Sequence, residues 1–449
     1  MIRYHARWVL PISRPPIPDA TVVEDRGRVV YVGPRSAAPP GEDADLGDAI
    51  LLPGLVNAHT HLELTGMRGL LEGLDFRAWI ATLQAAKREV LSADAMLDAA
   101  RAGIAEGLAA GVTTFADTCH SGVALRAMRE LGVRGVVYQE VFGPAPERCA
   151  ESMRELGAKI DALRAEETAL QRVGISPHAP YTVSDAVFAA AAAYARAEAL
   201  PVAVHIAESE AETQLIAEGC GPFAEALRAR GISVAARARS PLALLERLGV
   251  LATRALLIHC VRADAADLAA IAAARCGVAH CPSSNAKLGH GVAPLSAMLE
   301  RGIAVGLGSD SVASNNRMHL LEEARLASLL QRAELRTPHA LSPGAALELA
   351  TLGGARALGL DAEIGSLETG KAADLAAFPL GVLPGAHVAD PAAAAVFALG
   401  GTLASLVAVG GRVLVRDGRV LSADPDVTAR VRASGDALAA WKRARGAAP

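Results

Sequence analysis

From Leu51 to Asp310 the chain repeats one pattern: a short apolar run, then a longer stretch rich in Ala, Leu, Glu and Arg. Eight runs carry it: Leu51–His61, Val112–Asp117, Gly135–Glu140, Val173–His178, Val202–Glu208, Ala255–His259, Gly277–His280 and Ile303–Asp310. Apolar runs alternating with helical stretches predict βα units around a parallel sheet. Eight parallel strands close a (β/α)8 barrel. The two ends of the chain read differently. Gly27-Arg28-Val29-Val30-Tyr31-Val32-Gly33-Pro34 is an apolar strand bounded by turn residues, and Gly411–Leu421 is a similar piece in which Asp417-Gly418 signals a hairpin. The expected fold is α/β. Residues 54–369 form a TIM-like barrel, residues 1–53 and 370–425 together form a small β-sandwich, and residues 426–449 form a C-terminal helix.

Pro391–Gly411 has no charged residue and is long enough to span a bilayer. Gly400, Gly401, Gly410 and Gly411 break a helix there, so the segment reads as small-residue packing. Met1–Ile12 carries Arg3, His5 and Arg7 and no long apolar run, which predicts no signal peptide and a cytoplasmic protein.

Composition narrows the function. Lys+Arg 44 against Asp+Glu 48 leaves a net charge of −4, without the basic surface that a nucleic-acid binder needs. Hydrophobic residues at 52% supply a large core, built from Ala, Leu and Val because aromatics are only 3%. The six cysteines contain no CxxC pair, so neither a disulfide framework nor a zinc ribbon is expected.

The chemistry gathers at the C-terminal ends of the apolar runs. In order these offer His59 and His61, Asp117, Glu140, His178, His205 with Glu208, His259, His280, and Asp310. Barrel enzymes build their active sites on that face, from several strand ends. A solvated histidine has no reason to prefer the end of an apolar strand. His59 and His61 are two apart on an extended segment and point the same way. His205 can add a third nitrogen and Asp310 a carboxylate. Three nitrogens and one oxygen suit one divalent cation, Zn2+ first, with Fe2+ or Mn2+ on the same ligand types.

The segment Pro53-Gly54-Leu55-Val56-Asn57-Ala58-His59-Thr60-His61-Leu62 resembles the first-strand signature of the amidohydrolase superfamily. Val204-His205-Ile206-Ala207-Glu208-Ser209 resembles its HxxE strand. Leu257–Cys260, His280–Asn285 and Gly308–Ser311 are similar to its later strands, and Gly365–Leu375 to its return into the small β domain. Two-metal members place a lysine or an equivalent bridging ligand at the fourth strand. The runs here offer no lysine, although Glu140 has the chemistry of a bridge. The chain therefore resembles the mononuclear deaminase branch.

That resemblance implies roles. His59, His61, His205 and Asp310 hold the metal. Glu208 moves a proton from water to a ring nitrogen, His259 steadies the developing charge, and Asp310 also takes a proton. His178 contacts substrate, with Glu140, His280, Trp79 and Asn285 as further candidate contacts. His280 reads equally well as a core histidine, and Asp117 as a structural group holding a neighbouring histidine or loop. Lys287 and His290 follow the seventh strand and either line the pocket or sit in a solvated loop. Leu64–Trp79 is the loop expected to cover the pocket, with Phe76 and Trp79 either stacking on a heterocycle or packing the next helix.

The implied activity is hydrolytic deamination of an aminated N-heterocycle of the adenine type, such as aminodeoxyfutalosine, adenosine or S-adenosylhomocysteine. The start His59-Thr60-His61-Leu62-Glu63-Leu64 resembles the aminodeoxyfutalosine group most. Alternatives are guanine or cytosine deamination, triazine dechlorination, cyclic-amide hydrolysis, or a metal-binding barrel without catalysis. The resemblance also suggests a homodimer.

Overall fold

Each apolar run of the sequence yields one strand of a closed parallel barrel in the computed structural model, which describes residues 1–381 and 388–446. Strands Leu55–Thr60, Val112–Cys119, Arg134–Val141 and Gln171–Pro177 form one four-stranded parallel sheet. Ala203–Ile206, Leu256–His259, Gly277–His280 and Ala304–Leu307 form a second. Parallel bridges from Ile175 to Val202 and from Thr60 to Asp310 join the two into a ring. Every residue of Val112–Cys119 is buried, as expected of strands covered on both faces.

The first expected run divides in two. Ala49–Pro53 joins the small domain and Leu55–Thr60 the barrel. Gly54 is the joint: a Cβ there would lie 2.2 Å from the Thr113 hydroxyl. Only glycine lets the chain pass from one sheet to the other at this depth.

Both termini build the small domain. Ile2–Val9, Ile17–Asp25, Arg28–Pro34, Glu42–Asp45 and Ala49–Pro53 come from the N-terminal side, and Leu375–Pro379, Leu406–Val409, Arg412–Arg416 and Arg419–Val420 from the C-terminal side. The halves meet where Ala49–Pro53 pairs antiparallel with Leu375–Pro379. Alternation along these strands serves two cores. Leu51, Leu375 and Ala377 face the small domain's own core, while Ile50, Leu52 and Phe378 face the barrel. Arg134 Nε donates to Asp374 Oδ2 at 3.0 Å in the buried seam between the two units. At the hairpin, Arg416 pairs with Arg419 and both turn residues have positive φ, Asp417 at 49° and Gly418 at 73°. That is the two-residue turn that Asp-Gly favours.

Pro391–Phe397 is a short helix and Leu406–Val409 a strand. Among the described residues no helix is long and apolar enough to cross a membrane. The C-terminal helix is Val427–Ala444. Residues 382–387 of the expected sandwich and 447–449 of the expected helix lie outside the described residues. The helix lies over the loop after the first barrel strand, where Lys442 Nζ donates to the Leu70 carbonyl at 2.6 Å, and against the helix Ala93–Ala109, where Arg430 Nε donates to Asp98 Oδ2 at 2.7 Å.

Candidate active site

The first and eighth strands are locked side by side before any functional group is placed. Asn57 Nδ2 donates to Ser309 Oγ at 2.8 Å, and the Ser309 N–H donates to Asn57 Oδ1 at 2.9 Å. Gly308 permits the contact, since a Cβ there would stand 2.9 Å from that of His59. At the next position Asp310 takes φ 56°, a left-handed conformation that costs energy in a non-glycine residue and aims its carboxylate across the barrel mouth. His259 does the same at φ 75°.

Four groups converge there. His61 Nε2 lies 3.1 Å from His205 Nε2, and Asp310 Oδ1 lies 3.2 Å from His59 Nε2 and 3.7 Å from His61 Nε2. His59, His61 and His205 have ligand atoms within 4.8 Å of one another, as do His59, His259 and Asp310. Burial holds the three ligand-type imidazoles below their ordinary range, so each neutral ring keeps one nitrogen lone pair for a ligand. Burial also opposes ionisation of Asp310, but His59, His259 and His61 outweigh it and keep its carboxyl well below the usual range. A neutral imidazole keeps one nitrogen lone pair, and two such lone pairs facing each other repel unless a proton or a cation stands between them. Tetrahedral zinc at about 2.05 Å from nitrogen spaces its ligands about 3.3 Å apart, which is the spacing seen. Among the described residues, the buried His59 ring has no hydrogen-bond partner on either nitrogen. The donor set fits one divalent cation.

The supports around this set leave its inner atoms free. Asp310 Oδ2 accepts from Ser284 Oγ at 2.5 Å and Ser314 Oγ at 3.1 Å, which turns Oδ1 toward the histidines. Asp117 Oδ1 accepts from Thr60 Oγ1 at 2.8 Å and the Leu62 N–H at 2.7 Å, pinning the backbone on either side of His61. A second trio, Glu140, His178 and His205, also brings ligand atoms within 4.8 Å. It shares His205, whose Nδ1 faces the His178 carbonyl at 3.2 Å, so that ring has one nitrogen for one ion.

Beside the four groups lies an acid–base pair. Glu208 Oε1 is 3.5 Å from His259 Nε2 and 3.5 Å from His290 Nε2. The turn carrying Glu208 is clamped by Glu212, whose carboxylate accepts the Ala207 N–H at 2.9 Å and the Glu208 N–H at 2.8 Å. Burial pushes the Glu212 carboxyl up to about 8.

These groups open into a cavity at the mouth of the barrel. Helix Phe76–Val90 presents one face to it through Phe76, Trp79, Ile80, Leu83 and Lys87. Tyr181, His178 and Glu140 line it as well. Burial lowers the His178 imidazole to about 3 and raises the Glu140 carboxyl.

The remaining sequence candidates are distributed as follows. His59, His61, His205, Glu208, His259 and Asp310 come together, and Trp79, His178 and Glu140 line the cavity. Phe76 packs edge-on against His290, with ring centroids 4.5 Å apart. Asn285 does not line the cavity; its Oδ1 accepts from His259 Nδ1 at 3.0 Å. His280 is buried outside the cavity, its imidazole lowered to about 4 by burial and by His259. Lys287 points outward to Glu72 at 2.6 Å.

Sequence reasoning passed over Lys87. It forms an ion pair with Glu63, whose other oxygen accepts from Cys119 Sγ at 3.2 Å, the Ser121 N–H at 3.2 Å and the Ser121 hydroxyl. Burial works against this carboxylate, but Lys87 and its donors outweigh burial and hold it at about 2. The spacing 76, 79/80, 83, 87 on one helix face was the available signal.

Comparison with known proteins adds a lineage. The model of the "Amidohydrolase family" matches residues 50–414. A 5-methylthioadenosine/S-adenosylhomocysteine deaminase of Moorella thermoacetica is 33% identical over 427 residues, covering 93% of this chain and 95% of that one. A 5'-deoxyadenosine deaminase of Methanothermobacter thermautotrophicus is 32% identical over 83% of each chain. The crystal structure of an adenosine deaminase from Xanthomonas campestris, with bound zinc, superposes with a TM-score of 0.86 at 29% identity, covering 97% of this chain and 98% of that one.

Proposed function

The chain belongs to the amidohydrolase family, and from that premise we propose that it deaminates an adenine-type compound with one zinc ion, releasing ammonia. The observation that carries this reading is the position of Glu208. Its carboxylate lies 3.5 Å from His259 Nε2, beside the convergence of three histidines and Asp310. Amidine-like carbons of aromatic rings are poor electrophiles until the adjacent nitrogen is protonated, so a carboxyl group must stand beside the attacking oxygen.

His59, His61, His205 and Asp310 hold the ion. When bound, such an ion lowers the pKa of a coordinated water toward about 7 and so supplies hydroxide near neutral pH. Glu208 passes a proton to the ring nitrogen next to the carbon under attack. His259, held through Nδ1 by Asn285, presents Nε2 to the attacking oxygen and steadies the charge that develops there. Asp310 Oδ1 accepts the second proton, which leaves with the amine as ammonia. Trp79 and Tyr181 flank the heterocycle, and His178 contacts it. The relatives' names support 5'-modified adenosines as substrates, alongside aminodeoxyfutalosine and adenosine. Zinc is favoured by the three-nitrogen, one-oxygen donor set and by the zinc bound in the Xanthomonas campestris enzyme. The family resemblance also carries the readings of a homodimer and a cytoplasmic setting.

An ammonia-release assay over adenosine, 5'-deoxyadenosine, methylthioadenosine, S-adenosylhomocysteine and aminodeoxyfutalosine tests the reading. At least one compound is turned over, and Glu208→Gln removes about 10^3-fold or more of the rate while still binding metal. Ammonia from none of them, or full activity in Glu208→Gln, would overturn it.

A further inference from the structure

We propose that His290 is a positioning residue for the deamination, holding one oxygen of the Glu208 carboxyl so that the other is presented to the substrate. The inference rests on the deaminase reading and deepens it by assigning what aims the proton-carrying group.

Four residues form a closed circuit of contacts. Glu208 Oε1 lies 3.5 Å from His259 Nε2, and His259 Nδ1 lies 3.0 Å from Asn285 Oδ1. The Asn285 carbonyl accepts the His290 N–H at 2.9 Å, and His290 Nε2 returns to Glu208 Oε1 at 3.5 Å. One short segment after the seventh strand, residues 285–290, thus reaches both members of the Glu208–His259 pair.

Glu208 needs a hold of this kind. Glu212 accepts the Ala207 and Glu208 N–H groups and so fixes the backbone, but the carboxyl can still rotate about its own side chain. The two histidine nitrogens approach that carboxyl, both at Oε1. His259 is committed elsewhere, through Nδ1 to Asn285 and through Nε2 to the attacking oxygen. His290 Nε2 has no competing duty: it is buried and has no hydrogen-bond partner among the described residues. A carboxylate oxygen only accepts, so an Nε2–H on His290 is the complementary donor. Contacts of this length commonly tighten when substrate binds. With Oε1 anchored, Oε2 is the oxygen left to carry the proton, and Glu208 lines the cavity where the heterocycle sits.

The imidazole is itself held in place. Phe76, the first residue of the helix Phe76–Val90, packs edge-on against it with ring centroids 4.5 Å apart and planes at 80°. The His290 side chain is only 4% exposed, so it is not a solvated loop group. It lies outside the cavity-lining set, which places its action on Glu208 rather than on the substrate.

The test measures ammonia release by the metal-loaded full chain from the adenine-type compound that it turns over fastest. His290→Phe keeps the ring against Phe76 and removes the donor. It should lower kcat about 10- to 100-fold, with KM within about threefold of wild type and metal content unchanged. His290→Gln restores an N–H and should recover at least about fivefold of that loss. In a Glu208→Gln background, His290→Phe should cost less than about threefold, because the group it positions is already disabled. If His290→Phe does not fold, His290→Leu takes its place. A kcat within about threefold of wild type in His290→Phe, an equal loss in His290→Gln, or the full loss repeated in the Glu208→Gln background would overturn the inference and leave the deaminase reading intact. Wild-type protein that releases ammonia from no adenine-type compound would remove the deaminase reading and the inference with it.

Discussion

His259 Nδ1 donates to Asn285 Oδ1 at 3.0 Å, with both residues sealed from solvent. With Nδ1 engaged by Asn285, Nε2 is the ring nitrogen left to face Glu208, 3.5 Å away. Asn285 thereby acts through another residue, although it stands 26 positions further along the chain, after the next strand.

Replacing Asn285 tests that bond. Asn285→Ala should lower kcat about 10- to 100-fold, the usual cost of losing a group that orients a working side chain. Metal content should stay at the wild-type level. Asn285→Asp keeps the acceptor and adds charge, so it should retain more activity and move the histidine limb of the pH profile upward. Equal loss in both variants, with no change of profile, would show a purely structural role.

Glu212 supports Glu208 from behind by accepting two consecutive backbone N–H groups. Glu212→Ala orphans both donors and frees the turn, which should cost about 10- to 100-fold in kcat with KM little changed. Steady-state kinetics on metal-replete protein give the answer. A change confined to KM would contradict the clamp.

The Glu63–Lys87 pair is a buried charge pair whose separation should be costly. Lys87→Met leaves an uncompensated carboxylate and should destabilise by about 3–5 kcal/mol in urea unfolding, whereas Glu63→Leu with Lys87→Met should recover most of that. The pH dependence follows from the depressed carboxyl. Glu63 titrates at about 2 in the folded chain against 4.5 in its ordinary state. Its contribution is fully present above about pH 4.5 and disappears as the pH falls through about 2. Glu63→Gln should flatten the wild-type stability loss across that acid window.

Much of this arrangement was legible in the sequence because it follows from periodicity. Apolar runs ending in His or Asp dictated a barrel, and the barrel dictates that strand ends meet. His59, His61, His205, Glu208, His259 and Asp310 sit at or just beyond those ends, so their convergence needed no knowledge of loops. Asn285 and His280 lie close to the seventh strand too, but facing is not written in position. Asn285 turns its amide to a histidine, and His280 points into the core. Lys87 was overlooked because it lies on a helix after a long loop, where only its register with Phe76, Trp79 and Leu83 betrays it. The break at Gly54 was hidden inside one continuous apolar run, because two strands of different sheets share the same hydrophobicity.

The most direct test of the account is a zinc titration of chelator-stripped protein, read by ammonia release from its best adenine-type substrate. The account predicts negligible turnover without metal, full recovery at about one equivalent per chain, and a His205→Ala variant that recovers neither binding nor activity. Turnover by the stripped protein, or a rise that ends only at two equivalents, would contradict it.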